Sequence, residues 1–117
     1  MEQKVNSGDL RLGRIGKKME RMLGIALTSD QRLYLSEKAL DNLSQRYPEK
    51  HLAILSSFSY ALRHVDRAFY LEQLDMIKVL AHYEKGRGKR CEMLFVHQGR
   101  PKRWYLTKVD FTRKDHK

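Results

Sequence analysis

Five histidines, a single cysteine and a scatter of carboxylates are the side chains of this chain that most readily move protons or hold metals. Their spacing narrows the chemistry. Cys91 has no second thiol, and no two histidines stand within a helical turn of each other, so the ligand spacing of a transition-metal site is missing. No phosphate-loop or dinucleotide fingerprint occurs, and no cofactor is expected. His82 reads either as a surface strand histidine with no chemistry or as the histidine best placed for it. In the run from Met76 to Glu84, strand alternation puts Ile77, Val79, Ala81 and Tyr83 on one side and Met76, Lys78, Leu80, His82 and Glu84 on the other. An imidazole with a carboxylate two residues along and a lysine on the same side is an acid–base group beside a cation, a set suited to a phosphate ester. His51 and His64 are expected at helix ends, His97 in a turn and His116 in the tail.

Cations supply the second half of that chemistry. The chain has a net charge of +10, and residues 85–117 alone carry 11 Lys or Arg against 3 acids. Residues 24–84 hold 7 basic against 8 acidic groups, so the charge belongs to the chain ends and describes a directed field more than general solubility. Lys85, Arg87, Lys89 and Arg90 surround one short connection, and Arg100, Lys102 and Arg103 surround the next. Gly86 and Gly88 let backbone amides approach a phosphate in the first of these. With Lys78 on the His82 side and Trp104, Tyr105 and Tyr83 nearby, the set is expected to hold backbone phosphates and stack unpaired bases. That favours RNA or single-stranded DNA over groove reading of a duplex. Taken singly, each cation is a solvated residue that keeps strand edges from pairing; the clustering is what points to a polyanion.

The elements that must position these groups follow from periodicity. Ile15, Met19, Met22 and Leu23 recur at helical spacing and Gly24 follows as a stop, which predicts a short helix. Ser36 before Glu37 is an N-cap with an acid in the first turn, and the stripe Leu40, Leu43 and Tyr47 runs to Pro48, predicting a helix over 37–46. Pro48 suits the first position of another helix, whose stripe Leu52, Leu55, Phe58, Leu62 and Val65 marks it as the central core helix. Residues 32–35 read as a short strand or a lead-in to the second helix. After Asp66 the period falls toward two, and residues 68–71, 76–84, 90–97 and 103–111 read as strands joined by hairpin connections. The expected architecture is α+β, with two to three N-terminal helices packed on a four-stranded antiparallel β-meander. Residues 1–12 read as a flexible arm, 13–111 as one domain and 112–117 as a basic tail. On the last strand, Arg103, Tyr105, Thr107, Val109 and Phe111 oppose Trp104, Leu106, Lys108 and Asp110, and aromatics on both sides leave the buried side open. Cys91 alternates with Met93 and Phe95 and reads as a small core residue.

At 117 residues the chain suits one domain that buries about two-thirds of its unfolded surface without staples. The lone cysteine offers no disulfide, and the first 18 residues have no apolar signal core. The longest uncharged stretch, 52–62, falls short of the ~20 apolar residues of a membrane span, so a cytoplasmic protein without membrane contact is expected.

Beyond these patterns, short motifs occur in a telling order. They are Leu12-Gly13-Arg14-Ile15, Met22-Leu23-Gly24-Ile25, Tyr34-Leu35-Ser36, Arg46-Tyr47-Pro48-Glu49, Val65-Asp66 and Leu106-Thr107-Lys108. Over residues 12–111 this order resembles the phage-associated nuclease domains of the barnase, EndoU, colicin and RelE-like group. The resemblance implies a metal-independent endoribonuclease, in which the ribose 2′-hydroxyl attacks, a base takes its proton, an acid serves the 5′-oxygen and cations hold the phosphate. In that pattern the second helix carries two histidines, one directly before the Pro-Glu; here Asn42 and Tyr47 stand there. The acid–base work has then moved or been lost. If it has moved, the expected catalytic set is His82 with Glu84, Lys108 and Thr107 of the last strand, and Arg46 beside Tyr47 on the helix. Two other readings share the same surface: a non-catalytic RNA or single-stranded DNA binder, and a protein-interaction module. The second of these would be a phage or mobile-element factor docking on an acidic partner such as an antitoxin.

Overall fold

The computed structural model describes residues 8–24, 31–83, 89–99 and 102–113, with Lys89, Thr112 and Arg113 described by backbone alone. The chain runs β1 (Leu10–Arg14), α1 (Lys17–Leu23), β2 (Arg32–Leu35), α2 (Glu37–Arg46), α3 (His51–Leu62), β3 (Val65–Leu71), β4 (Met76–His82), β5 (Lys89–Gln98) and β6 (Arg103–Arg113). Local chemistry sets the helix ends. α1 stops at Gly24, whose φ of +71° is a left-handed cap that a side chain would strain. α2 starts where the Ser36 hydroxyl accepts the Ala39 N–H at 3.2 Å, and the Asp9 carboxylate accepts the Glu37 N–H at 3.0 Å. Pro48 lies in a turn and α3 begins three residues later, at His51. Its stripe is buried only toward its C-terminal end: Phe58, Ala61 and Leu62 are buried, Leu52 is exposed and Val65 already belongs to β3.

The sheet corrects the expected four-stranded antiparallel meander. It has six strands in the order β1-β2-β6-β5-β4-β3 and is mixed, because β2 runs parallel to β6 while every other neighbouring pair is antiparallel. The meander is its β3–β6 portion. β1 escaped the pattern because its register shifts between Arg11 and Gly13, which breaks alternation within a five-residue strand. Gly13 also lets α3 close onto β1, since a Cβ there would meet Leu62 Cδ1 at 3.1 Å. β2 escaped because four residues carry no period, and its partner lies far along the chain. Of the expected arm, Leu10 to Leu12 belong to β1, and of the expected tail, Thr112 and Arg113 belong to β6.

One face of the sheet is dry. Ile77, Val79 and Ala81 of β4 and Cys91, Met93 and Phe95 of β5 are buried there with Met19 and Leu23 of α1 and Phe58, Ala61 and Leu62 of α3. α3 packs on β1 and β4 and α1 on β3. β6 changes phase midway. Trp104 and Leu106 point into the core, a bulge at Thr107 inserts one residue, and then Val109 and Phe111 turn inward, Phe111 stacking on Phe58 at 6.3 Å. Strict alternation therefore could not assign a buried side to this strand. The opposite face carries Lys78, Leu80 and His82 of β4, Arg90, Glu92 and Leu94 of β5, and Lys108 and Asp110 of β6, all half-buried or exposed. Among the described residues, no helix is long and apolar enough to cross a membrane.

Burial pushes the Cys91 thiol from its ordinary 9.0 to about 11. Below pH 9 the thiol is protonated both folded and unfolded. Above it the unfolded thiol ionises first, so this residue's contribution to stability falls between pH 9 and about 11. Iodoacetamide at neutral pH is expected to label the native protein far more slowly than the urea-unfolded chain. The stability of the native protein relative to a Cys91→Ala variant should shrink over that pH window in urea titrations.

Candidate nucleic-acid interface and active site

The open face is shaped at one end by a defect in pairing. On β3, Val65 pairs with Ala81 and Arg67 with Leu80, so Asp66 is an extra residue, a bulge that re-aims a side chain. Its carboxylate reaches His82, with Asp66 Oδ2 3.3 Å from His82 Nδ1. The carboxylate lies beside Nδ1 as an ion-pair partner for the protonated ring, and Nε2 is the nitrogen away from Asp66. The His82 backbone is held too, its N–H donating to the His64 carbonyl at 3.2 Å. Arg90 is the cross-strand partner of His82, and Glu92 faces Leu80 two pairs further along, on the same face. Lys78 approaches Glu92 at 3.9 Å and Lys108 approaches Asp110 at 3.7 Å. Asp66, Arg67, Phe69, Leu80, His82, Arg90 and Glu92 surround a hollow of about 640 Å³. Phe69, paired with Lys78, is 41% exposed at its side.

The expected site residues fall into distinct places. Lys78, His82, Arg90, Arg103, Tyr105 and Lys108 lie on the open face. Glu84, Lys85, Arg87 and Arg100 lie outside the described residues, and Lys89 is described by backbone alone. Lys102 is exposed in the turn before β6. Trp104 points away: it is 1% exposed in the core, where His97 stacks on it at 4.2 Å, so it offers no ring to a base. Tyr105 is half-buried and its hydroxyl donates to Asp9 at 2.9 Å; burial, then that bond, pushes its pKa up. Arg103 lays its guanidinium 4.8 Å over the Tyr34 ring. Tyr83 is half-buried, edge-on to Phe111.

The positions suggested by the nuclease resemblance gather elsewhere. Asn42, Arg46 and Tyr47 of α2 line a hollow of about 420 Å³ against α3 and β6, and Thr107 and Lys108 border it. The Arg46 guanidinium lies 5.8 Å from the Tyr47 ring centroid. That hollow opens on the helix side, so Arg46, Tyr47 and Thr107 do not join His82 around one centre. Among the described residues no group of His, Cys, Asp or Glu has the geometry to hold a metal.

A second carboxylate–histidine pair was not foreseen from the sequence. His97 lies in β5, next to its last residue, and not in a turn; its Nδ1 meets Asp75 Oδ2 at 3.1 Å, while Asp75 Oδ1 accepts the Tyr70 hydroxyl at 2.9 Å. The Asp75 bond, more than burial, raises the Tyr70 pKa. Asp75 sits in the β3–β4 turn at φ +50°, a conformation that Asp tolerates better than most residues. Only the recurrence of Asp in such turns could have signalled it. The His97 side chain is 16% exposed and its Nε2 is buried without a hydrogen-bond partner among the described residues, so this imidazole cannot meet a substrate. His51 and His64 turn Nδ1 to backbone carbonyls of their own helices or turns. Among the described histidines, His82 alone is paired with a carboxylate at a hollow open to solvent.

Compared with family models, curated proteins and solved structures, the chain matches none of them. The chemistry of the open face therefore stands on its geometry. The two Asp–His pairs are expected to separate by experiment. Asp75→Ala should lower the unfolding free energy by roughly 1 kcal/mol through the lost hydrogen bonds, read as an earlier melting transition, with no change in any activity at His82.

Proposed function

We propose that the open sheet face binds RNA and cleaves it by attack of the ribose 2′-hydroxyl on the adjacent phosphate, with His82 as the central proton-transfer group. The supporting observation is the His82–Asp66 pair at 3.3 Å, set in a hollow that also holds a second carboxylate, Glu92, and two cations, Arg67 and Arg90. Each part has a role in that reaction. Asp66, beside Nδ1, places a negative charge next to the imidazolium that forms when His82 takes a proton. His82 and Glu92 share the proton transfers, one taking the 2′-hydroxyl proton and the other returning one to the 5′-oxygen as the bond from phosphorus to O2′ forms and that to O5′ breaks. Arg67 and Arg90 stabilise the charge that gathers on the phosphate oxygens, the largest electrostatic demand of the step. Lys78, Lys108 and Arg103 extend the cationic track along the face. The resemblance to the barnase, EndoU, colicin and RelE-like nucleases agrees with this chemistry, with the acid–base group on the sheet in place of the helix. A cytoplasmic setting, where RNA is abundant, accords with it.

Purified protein incubated with a single-stranded oligoribonucleotide in EDTA is expected to cut it and leave 2′,3′-cyclic phosphate ends, and a 2′-deoxy substitution at the cut site should block cleavage. His82→Ala should lower the rate by about 10²- to 10⁴-fold, and Asp66→Asn by a smaller factor. Binding should weaken steeply as salt rises. RNA left intact yet bound by a salt-sensitive surface would replace this reading with that of a non-catalytic binder. Indifference to RNA, with capture of an acidic protein, would favour the interaction module.

A further inference from the structure

We propose that Phe69 is a stacking platform for one unpaired base, which makes single-stranded RNA the substrate class of the His82 site. This rests on the reading above and adds to it a part of the substrate that no cation or acid–base group recognises. Phe69 is an aromatic side chain on the solvent-facing side of β3, an edge strand, and it is 41% exposed where the hollow opens. The register lays out the rest. Phe69 pairs with Lys78, Arg67 with Leu80, and His82 with Arg90, so along the open face an aromatic row is followed by a row of Arg67 and Leu80 and then by the His82 row. From the Phe69 row to the His82 row is four strand residues, about 13 Å of backbone. Along that stretch an extended strand can lay one base on the ring and pass its following phosphates to Arg67 and then to Arg90 and His82. Leu80, half-buried beside the ring, gives the base an apolar floor and no competing hydrogen bond.

The geometry also selects against duplexes. Within a helix each base is stacked on its neighbours, and the only surface it presents is an edge in a groove; a ring on an open face binds a base only when it is splayed out. The Phe69 platform stands at the rim of a concave hollow of about 640 Å³, which admits a nucleotide and excludes a rod of stacked pairs. Stacking of this kind is indifferent to base identity, so weak sequence preference follows.

Steady-state cleavage of a single-stranded oligoribonucleotide, and of the same strand annealed to its complement, tests this with the full chain and with Phe69→Ala, Phe69→Trp and His82→Ala. Melting curves confirm that each variant folds. Phe69→Ala is expected to raise KM by about 10- to 100-fold with kcat near that of the unaltered protein, and Phe69→Trp to restore KM. The annealed strand should be cut far more slowly than the free strand. An unchanged KM in Phe69→Ala while His82→Ala is inactive overturns the platform and leaves the His82 reading intact; equal cutting of duplex and single strand does the same. If the strand binds without being cut, fluorescence anisotropy reads the same ratios as Kd, and loss of affinity in Phe69→Ala alone among folded variants supports the platform. No cleavage and no binding by the unaltered protein overturns both.

Discussion

Two residue pairs, Leu33 with Trp104 and Tyr34 with Tyr105, hold β2 in parallel beside β6, and the continuity of the sheet depends on that seam. Without it the β1–β2 hairpin would be an isolated two-stranded ribbon, marginal in water by itself. A parallel ladder this short contributes little backbone hydrogen bonding, so side chains carry the joint. On the dry face Leu33 and Trp104 are fully buried. On the open face the Tyr34 and Tyr105 rings meet at 5.9 Å, Arg103 lies over Tyr34, and Tyr105 donates to Asp9. Asp9 closes the same joint a second time through the first turn of α2. The seam joins segments distant in sequence and so must bear a loop-closure cost before its contacts form, whereas the β3–β6 hairpins close locally.

Because the helices gather over one face, the other keeps its charges in water. That matters for how its pairs are read. Exposed contacts such as Lys78 with Glu92 and Lys108 with Asp110, at 3.9 and 3.7 Å, add almost nothing to stability, so folding does not require them. The two Asp–His pairs make the contrast sharper. Their distances are 3.3 Å for Asp66–His82 and 3.1 Å for Asp75–His97, and the second is also a hydrogen bond. Environment separates them: His97 is sandwiched against Trp104 and tied through Asp75 to Tyr70, a brace between a turn and the end of β5, while His82 faces an open hollow.

Much of the scaffold was legible in the residues. The α2 boundaries follow from Ser36 and Pro48, and Ile77, Val79 and Ala81 are buried as alternation requires. What escaped was either non-local or out of phase. The parallel partnership of β2 leaves no trace in a four-residue strand, and the Thr107 bulge exchanges the two faces of β6 halfway, which is why Trp104, reasonable as a base-stacking ring from composition, is a core residue. The partner of His82 escaped for the same reason. Alternation points to Glu84, two residues along, and only a bulge on the neighbouring strand brings Asp66 across. Phe69 was within reach of the period but lay on a strand whose open side had not been assigned.

The two hollows then bear on where acid–base chemistry can act. A proton-transfer group works only within about 3 Å of the atom it serves, or through one water. Packed layers of a sheet and its cover are separated by on the order of 10 Å. A phosphate bound among Arg67, Arg90 and His82 on the open face is therefore out of reach of Tyr47 and Arg46 in the hollow beneath α2, and the reverse holds as well. Among the described residues lining the α2 hollow there is no His, Asp or Glu, and Asn42 has no titrating proton. Lys108 borders the α2 hollow, with its ammonium 3.7 Å from Asp110 on the open side. Among the described residues, a histidine, two carboxylates and two arginines thus line one hollow on the open face. His82, Arg90 and Glu92 share that face through the unbroken β4–β5 register, and the one-residue bulge on β3 adds Asp66 to them.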